Sequence, residues 1–246
     1  MVYEIMDTRV HALSQGIGEP VVVLHGWGSS RDVMKPVIDR LAQRFNVISL
    51  DFPGFGASQP PPFAWGVPEY AKMTVQLLDK MGLEKPVMLG HSFGGRVIIY
   101  AVGELLYEAS RLVLVDSAGI KQPIQNKKSG FSTAKKLAKL LPQKQREAVL
   151  DGARQKYGSA DYLAAEGVMR EILVKTVNLD LAALLPKIEN ETLLIWGEND
   201  TATPLSDGVK MSVLLPNGKI EVLKSAAHYS FLDAPKDFFE VLDAWL

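Results

Sequence analysis

The chain has 246 residues, of which 47% are hydrophobic and 22% charged, and its formal net charge is −1. This balance is typical of a globular protein with one large domain, or one domain with an insertion, and the near-zero charge argues against nucleic acid binding. The absence of cysteine excludes disulfides, thiolate metal sites and cysteine nucleophiles. Without a signal-peptide pattern or an apolar run near the roughly 18 residues of a membrane span, we expect a cytoplasmic protein.

Short apolar runs bounded by turn residues alternate with segments of helical periodicity along the chain. The apolar runs predict strands at 2–5, 8–13, 20–24, 45–50, 86–90, 112–115, 193–196 and 219–223. The periodic segments predict helices at 31–43, 68–82, 94–107, 204–214 and 235–246. This alternation predicts an α/β protein with a mostly parallel sheet that has helices on both faces.

Residues 120–189 interrupt this alternation with helical patterns at 132–141, 143–157, 160–176 and 178–185. We interpret 120–189 as a helical cap, inserted into a core formed by 1–119 and 190–246.

The first part of the predicted cap is basic, with eight Lys or Arg and no Asp or Glu from Lys121 to Arg146. This pattern is typical of a solvated face; the alternative is a surface that attracts an anionic substrate or an anionic membrane. Leu137, Leu140 and Leu141 lie at helical spacing opposite the lysines. They would line the underside of the cap, over a pocket for an apolar acyl or aromatic group.

The stretch Gly90-His91-Ser92-Phe93-Gly94 fits the pattern G-x-S-x-G, in which a serine occupies a strained turn between a strand and a helix. The two outer glycines would allow the strand and the helix to approach closely. The serine would lie at the carboxyl edge of the sheet, beside the amino end of a helix, where developing negative charge is favoured. The sequence therefore predicts Ser92 as a nucleophile.

A serine hydroxyl is a weak nucleophile, so it needs a base and a group that orients the base. Of the four histidines, His228 lies in a loop before the final helix, from which it can reach the carboxyl edge of the sheet. The orienting acid is predicted to be Asp200, with Asp116 as runner-up and Glu198 as a third candidate. Asp51 is interpreted as a structural residue that holds the Pro-Gly turn after it.

A glycine-flanked loop with the sequence LHGWGSS directly follows the predicted strand 20–24. The backbone N–H groups of Trp27 and Phe93 would form an oxyanion hole for a tetrahedral intermediate. Arg96, on the helix behind the nucleophile, is interpreted as structural. Candidates for lining the substrate pocket are Trp27, Phe52, Phe93, Leu137, Leu141 and Tyr229.

Five motifs, HGWG, DFPGFGAS, GHSFGG, WGENDTATP and AAHYSFLDAP, occur in an order and spacing that resemble the α/β-hydrolase superfamily. Within it, the chain is similar to small, capped serine hydrolases of bacterial type, and the likeness covers nearly the whole chain. The resemblance implies the α/β-hydrolase fold, a Ser92–His228–Asp200 triad and oxyanion donors at Trp27 and Phe93. Related branches with an aspartate nucleophile differ at Ser92, and Ala227 stands where members often have glycine.

Together these features predict a serine hydrolase that cleaves carboxylic esters of small to medium acyl groups through an acyl-enzyme. The mechanism requires no metal and no cofactor. The expected partner is a small-molecule ester, with no nucleic acid and no membrane span, and the chain would be a monomer or a homodimer. The same triad would serve a carbon–carbon bond hydrolase, a lactonase, a thioesterase, a perhydrolase or a small-molecule receptor with little turnover, because fold alone does not decide among them.

Overall fold

The computed structural model describes residues 1–121 and 160–246, together with 138, 141–143, 145, 146 and 149. The strands in these ranges are β1 Val2–Ile5, β2 Thr8–Gln15, β3 Pro20–Leu24, β4 Asn46–Leu50, β5 Val87–His91, β6 Leu112–Val115, β7 Thr192–Gly197 and β8 Gly218–Leu223. Within the described residues they form one eight-stranded sheet in the order β1-β2-β4-β3-β5-β6-β7-β8. β2 pairs antiparallel with β1 and β4, and the other neighbours are parallel.

The helices of the described ranges are α1 Lys35–Leu41, α2 Val67–Lys80, α3 Phe93–Gly103, α4 Ala160–Ala164, α5 Gly167–Asn178, α6 Leu205–Leu214, α7 Ser230–Asp233 and α8 Pro235–Trp245. A 3₁₀ turn covers Leu185–Lys187. These elements confirm the predicted α/β class and mostly parallel sheet. Across the parts of the chain that the structure describes, no helix combines the length and the apolar character needed to cross a membrane.

Alternate residues of each buried strand point to opposite faces of the sheet, and helices cover both faces. On β3, Val22 and Leu24 belong to the apolar cluster that includes residues of α2, α3 and α6. Val21 and Val23 of the same strand belong to the second cluster, with residues of α1 and α8. A strand buried on both faces has no polar side to alternate with, which is why β3 is a continuous apolar run in the sequence.

The predicted helix 178–185 is wrong. α5 ends at Asn178, and the next helical turn is the 3₁₀ segment Leu185–Lys187. Between them the Asp180 carboxylate accepts a hydrogen bond from the N–H of Ala182 at 3.1 Å. This local side-chain bond competes with helical hydrogen bonding and accounts for the break.

Most of 120–159, the first part of the expected cap, lies outside the described residues, whereas 160–189 are described. The predicted helices 132–141 and 143–157 lie mainly outside the described residues, as do Leu137, Leu140 and the basic residues of 121–146 other than Lys121 and Arg146.

The described helix α5 is attached to the core through Arg96 of α3. Its guanidinium Nη1 donates to the backbone carbonyls of Thr176 at 2.9 Å and Leu179 at 2.6 Å. Only 5% of Arg96 is exposed, and burial lowers its pKa to about 10, which leaves it charged at neutral pH. The structural interpretation of Arg96 is therefore confirmed.

Candidate active site

Ser92 occupies a strained turn between β5 and α3, with φ 51° and ψ −108°. A side chain at position 90 would lie 2.6 Å from the backbone of Gly94 and Gly95, and one at Gly94 would collide with the carbonyl of Leu24. The glycines therefore permit the close approach of strand and helix that the sequence pattern predicted. The turn leaves Ser92 half-buried at the carboxyl edge of the sheet.

A continuous hydrogen-bonded chain connects three of the predicted site residues. His228 Nε2 lies 3.0 Å from Ser92 Oγ, and His228 Nδ1 lies 2.8 Å from Asp200 Oδ2. The Asp200 side chain is fully buried, whereas 21% of the His228 side chain is exposed. A carboxylate only accepts hydrogen bonds, so the neutral imidazole carries its proton on Nδ1 and presents the Nε2 lone pair to the serine hydroxyl.

The Asp200 carboxylate accepts three further hydrogen bonds besides the one from His228. Oδ1 accepts from the N–H groups of Ala202 at 2.8 Å and Thr203 at 3.0 Å, and Oδ2 accepts from the Thr203 hydroxyl at 2.6 Å. Burial opposes ionisation, but the hydrogen bonds from His228 and Thr203 outweigh it and hold the pKa of Asp200 below its usual value. The carboxylate is thus fixed in position and ionised at neutral pH.

Asp116, the alternative acid, supports the two loops that carry Asp200 and His228. Its carboxylate accepts from the N–H of Gly197 at 2.7 Å and of Ser230 at 3.2 Å, and its backbone carbonyl oxygen lies 3.0 Å from the Thr203 hydroxyl oxygen, whose hydrogen is directed to Asp200. Burial raises the pKa of Asp116 to about 7, although the two N–H donors favour the charged form. Asp116 therefore connects the loop of Asp200 with the loop of His228.

Asp51 lies at the end of β4 and holds its own turn, as the sequence indicated. Its carboxylate accepts from the backbone N–H groups of Arg31 at 2.9 Å and Ala57 at 3.1 Å.

The loop after β3 is held by a buried histidine. The N–H of Phe52 donates to His25 Nε2 at 2.9 Å, so that nitrogen carries the lone pair. The proton is then on Nδ1, which lies 2.7 Å from the Gly26 carbonyl and donates to it. Burial lowers the pKa of His25 to about 4 and keeps the ring neutral at pH 7. His25 thus orients the peptide unit whose N–H belongs to Trp27.

The predicted oxyanion donors have neighbouring side chains. The Trp27 and Phe93 rings meet edge to face with their centroids 5.7 Å apart. Phe93 is the first residue of α3, and the first N–H groups of a helix have no acceptor within it. Its N–H is therefore available at the amino end of the helix, beside Ser92.

The remaining pocket candidates differ in burial. Phe52 is fully buried and packs between His25 and Phe93, with ring centroids 5.0 and 5.2 Å away. Tyr229 is half-buried, and its ring centroid lies 5.6 Å from that of His228. Leu141 is half-buried, and Leu137 lies outside the described residues. These residues remain predictions as substrate contacts.

Sequence reasoning missed the hydrogen-bonding roles of His25, His91 and Thr203. His91 Nε2 lies 2.7 Å from the backbone carbonyl of His228, which is 137 positions further along the chain. The sequence did offer a signal for Thr203, because it is a polar residue three positions after the predicted acid. It offered none for His91, because the contact of His91 is with a loop that is distant in the chain. In the described ranges, no group of three or more His, Cys, Asp or Glu side chains is arranged to hold a metal ion.

Comparison with known proteins defines the family of the chain. A family model described as the alpha/beta hydrolase fold matches residues 19–168, which is more than half of the chain. The chain therefore belongs to the α/β-hydrolase fold family.

Individual relatives are distant but extend over most of the chain. An uncharacterised hydrolase of Bacillus subtilis is 26% identical over 230 residues, covering 85% of this chain and 83% of the relative. A pimeloyl-[acyl-carrier protein] methyl ester esterase of Nitrosomonas europaea is 26% identical over 254 residues, covering 96% of this chain and 98% of the relative. Among solved structures, a thermophilic esterase from Thermogutta terrifontis matches with a TM-score of 0.77 at 23% identity, covering 100% of this chain and 97% of that one.

Proposed function

We propose that the protein is a serine hydrolase that cleaves carboxylic esters of small to medium acyl groups through an acyl-enzyme on Ser92. The observation that carries this proposal is the chain of hydrogen bonds from Asp200 through His228 to Ser92, at 2.8 and 3.0 Å. The Nitrosomonas europaea relative, a methyl ester esterase, supports a carboxylic ester over the other bonds that such a triad can attack.

In the acylation step, Ser92 Oγ attacks the ester carbonyl and its proton passes to His228 Nε2. The lone pair on Nε2 is available because Asp200 holds the imidazole proton on Nδ1. The buried carboxylate also stabilises the imidazolium that forms. The carbonyl oxygen becomes an oxyanion, which the N–H groups of Trp27 and Phe93 stabilise.

The tetrahedral intermediate collapses when the imidazolium gives its proton to the leaving alkoxide. The bond to the alcohol breaks and the acyl group remains on Ser92. A water molecule then attacks the acyl-enzyme while His228 accepts its proton, and the same steps in reverse order release the carboxylic acid and restore the serine hydroxyl. The side chains of the triad therefore supply all proton transfers.

We further propose that residues 120–189 form a cap over this site and that its described helix α5 limits the acyl group. Met169 of α5 packs on the backbone of Gly54, in the loop that also carries Phe55. The Phe55 and Trp27 rings meet edge to face, with centroids 4.9 Å apart. An apolar boundary of this kind favours a short or medium acyl chain beside the oxyanion loop.

The decisive experiment is hydrolysis of p-nitrophenyl esters from acetate to palmitate by the wild type and by Ser92→Ala. We expect turnover that is greatest for short to medium chains, and loss of that turnover in the variant by about 10⁴-fold or more. Ser110→Ala, which changes an exposed serine in the loop before β6, serves as the matched control and retains wild-type rates. Equal activity of Ser92→Ala and the wild type would refute the proposal.

A further inference from the structure

His91 lies beside the nucleophile in sequence and contacts the base in space. Only 1% of its surface is exposed, and its Nε2 lies 2.7 Å from the backbone carbonyl oxygen of His228. A carbonyl oxygen only accepts hydrogen bonds, so Nε2 carries a proton and donates it. Burial lowers the pKa of His91 to about 3, which leaves the ring neutral and its Nδ1 unprotonated.

The Nδ1 atom of His91 has no hydrogen-bond partner among the residues that the structure describes. It faces the oxyanion loop, since a side chain at Gly26 would lie 2.8 Å from this nitrogen. A buried acceptor without a partner destabilises the folded state. A hydrocarbon side chain of similar size would fill this space without that penalty, so packing alone does not account for an imidazole at position 91.

We propose that His91 is a positioning residue for the base: its Nε2–H group holds the backbone of His228 so that the imidazole of His228 stays aligned with Ser92. The inference rests on the proposed function, in which His228 is the base.

The bond couples the two partners of the first proton transfer. His91 precedes Ser92 on the end of β5, so the strand that fixes the nucleophile also fixes the carbonyl of the base. The His91 ring also packs beside those of His228 and Tyr229, with both centroids 4.9 Å away. Displacement of the loop by a fraction of an ångström would lengthen the 3.0 Å contact between Nε2 and Oγ, on which proton transfer depends.

Two substitutions of equal length separate this role from packing. His91→Gln can place an N–H donor where Nε2 lies. His91→Met introduces a side chain of the same length as glutamine, but it has no hydrogen-bond donor. We expect kcat for a p-nitrophenyl ester to fall by about 10-fold or more in His91→Met and by less than about 3-fold in His91→Gln, with KM unchanged in both. The rate at which a fluorophosphonate labels Ser92 should follow the same order.

The unfolding midpoint of each variant, measured by circular dichroism, shows whether both fold at the assay temperature. If both fold and the two substitutions lower kcat equally, His91 acts through packing and the inference is overturned. If the esters are not hydrolysed but wild-type Ser92 is labelled faster than in His91→Met, the ester proposal fails and the positioning role stands. If the fluorophosphonate does not label wild-type Ser92, no activated serine exists and both proposals are overturned.

Discussion

The two halves of the candidate site are held in place by different forces. On the acid–base side, hydrogen bonds converge on Asp200, and Asp116 and His91 hold the loop of His228 from two directions. On the oxyanion side, the Trp27 ring meets the rings of Phe55 and Phe93 edge to face, and the polar contact that orients its peptide unit comes from His25.

This difference reflects what each half has to do. The acid–base side must keep a buried carboxylate charged, which requires several donors because burial alone would neutralise it. On the oxyanion side, the proposed donors are backbone N–H groups, whose direction is set by the peptide plane, so that one well-placed contact suffices to orient each of them. We therefore expect substitutions on the acid–base side to lower kcat by changing which atoms of the side chains are protonated. Substitutions on the oxyanion side should lower kcat by turning the backbone N–H groups out of position.

Among substitutions of the residues that support Ser92, the largest effect is expected from Asp200→Asn. The amide can keep its oxygen toward the N–H groups of Ala202 and Thr203, which turns its NH₂ group toward His228 Nδ1. That donor forces the imidazole proton onto Nε2, where it blocks proton transfer from Ser92. We expect kcat to fall about 10⁴-fold with little change in KM.

The control for this variant is Glu198→Gln, which changes an exposed carboxylate two positions earlier. If Asp200→Asn retained near-normal kcat, Asp200 would not be the acid of the site.

The oxyanion side is tested by two complementary substitutions of His25. His25→Asn keeps a donor at the position of Nδ1, toward the Gly26 carbonyl, but loses the acceptor for the N–H of Phe52. His25→Gln can keep that acceptor and loses the donor. We expect kcat to fall about 10²-fold in the glutamine variant, because the Trp27 N–H is no longer oriented.

His25→Asn should instead lose about 1–3 kcal/mol of unfolding free energy, because it leaves the Phe52 N–H unpaired, and should keep most of its kcat. Steady-state kinetics and urea unfolding of the two proteins measure both effects. The reverse assignment, with the rate lost in the asparagine variant, would contradict an orienting role for His25 Nδ1.

A smaller effect is expected from Thr203→Val, which removes the hydroxyl that donates to Asp200 Oδ2 at 2.6 Å. Hydrogen bonds to charged groups contribute about 1.5–3 kcal/mol, and the lower end of that range corresponds to a fall in kcat/KM of about 10-fold, which we expect because Asp200 keeps its two backbone donors. Thr203→Ser retains the hydroxyl and should stay close to the wild type. Equal losses in both variants would mean that the methyl group, rather than the hydroxyl, matters at this position.

The strands and the serine turn could be predicted from the sequence because their signals are local. The continuous apolar run of β3 lies within a few consecutive residues, and so do the glycines around Ser92. The choice between Asp116 and Asp200 could not be made from strand positions, since both follow strands that end at the same edge of the sheet. The position of Asp200 before His228 in the chain and the family resemblance favoured Asp200, and the 2.8 Å distance between Asp200 Oδ2 and His228 Nδ1 agrees with that choice.

The supporting contacts depend on segments that are far apart in the chain. His25 meets the N–H of Phe52 27 positions later, and His91 meets the carbonyl of His228 137 positions later. The periodicity of apolar residues along the sequence does not indicate contacts between such distant segments. The error at 178–185 has a local cause, because the short-range bond from Ala182 to Asp180 replaces a helical one.

The smallest effect concerns the response of stability to acid. Burial lowers the pKa of His25 to about 4 and that of His91 to about 3, so each ring resists protonation in the folded state. A group with a lowered pKa stabilises the fold above its unfolded value of about 6.5, and that contribution is lost as the pH falls toward the folded value.

We therefore expect the wild type to lose more unfolding free energy than His25→Asn when the pH is lowered from 7.5 to 5.5, by about 1 kcal/mol. Asp116, whose raised pKa of about 7 acts in the opposite direction, is present in both proteins and cancels in the comparison. Urea unfolding at the two pH values measures the difference, and His91→Gln should behave in the same way as His25→Asn. Parallel loss of stability in wild type and both variants would mean that neither imidazole is held neutral by burial.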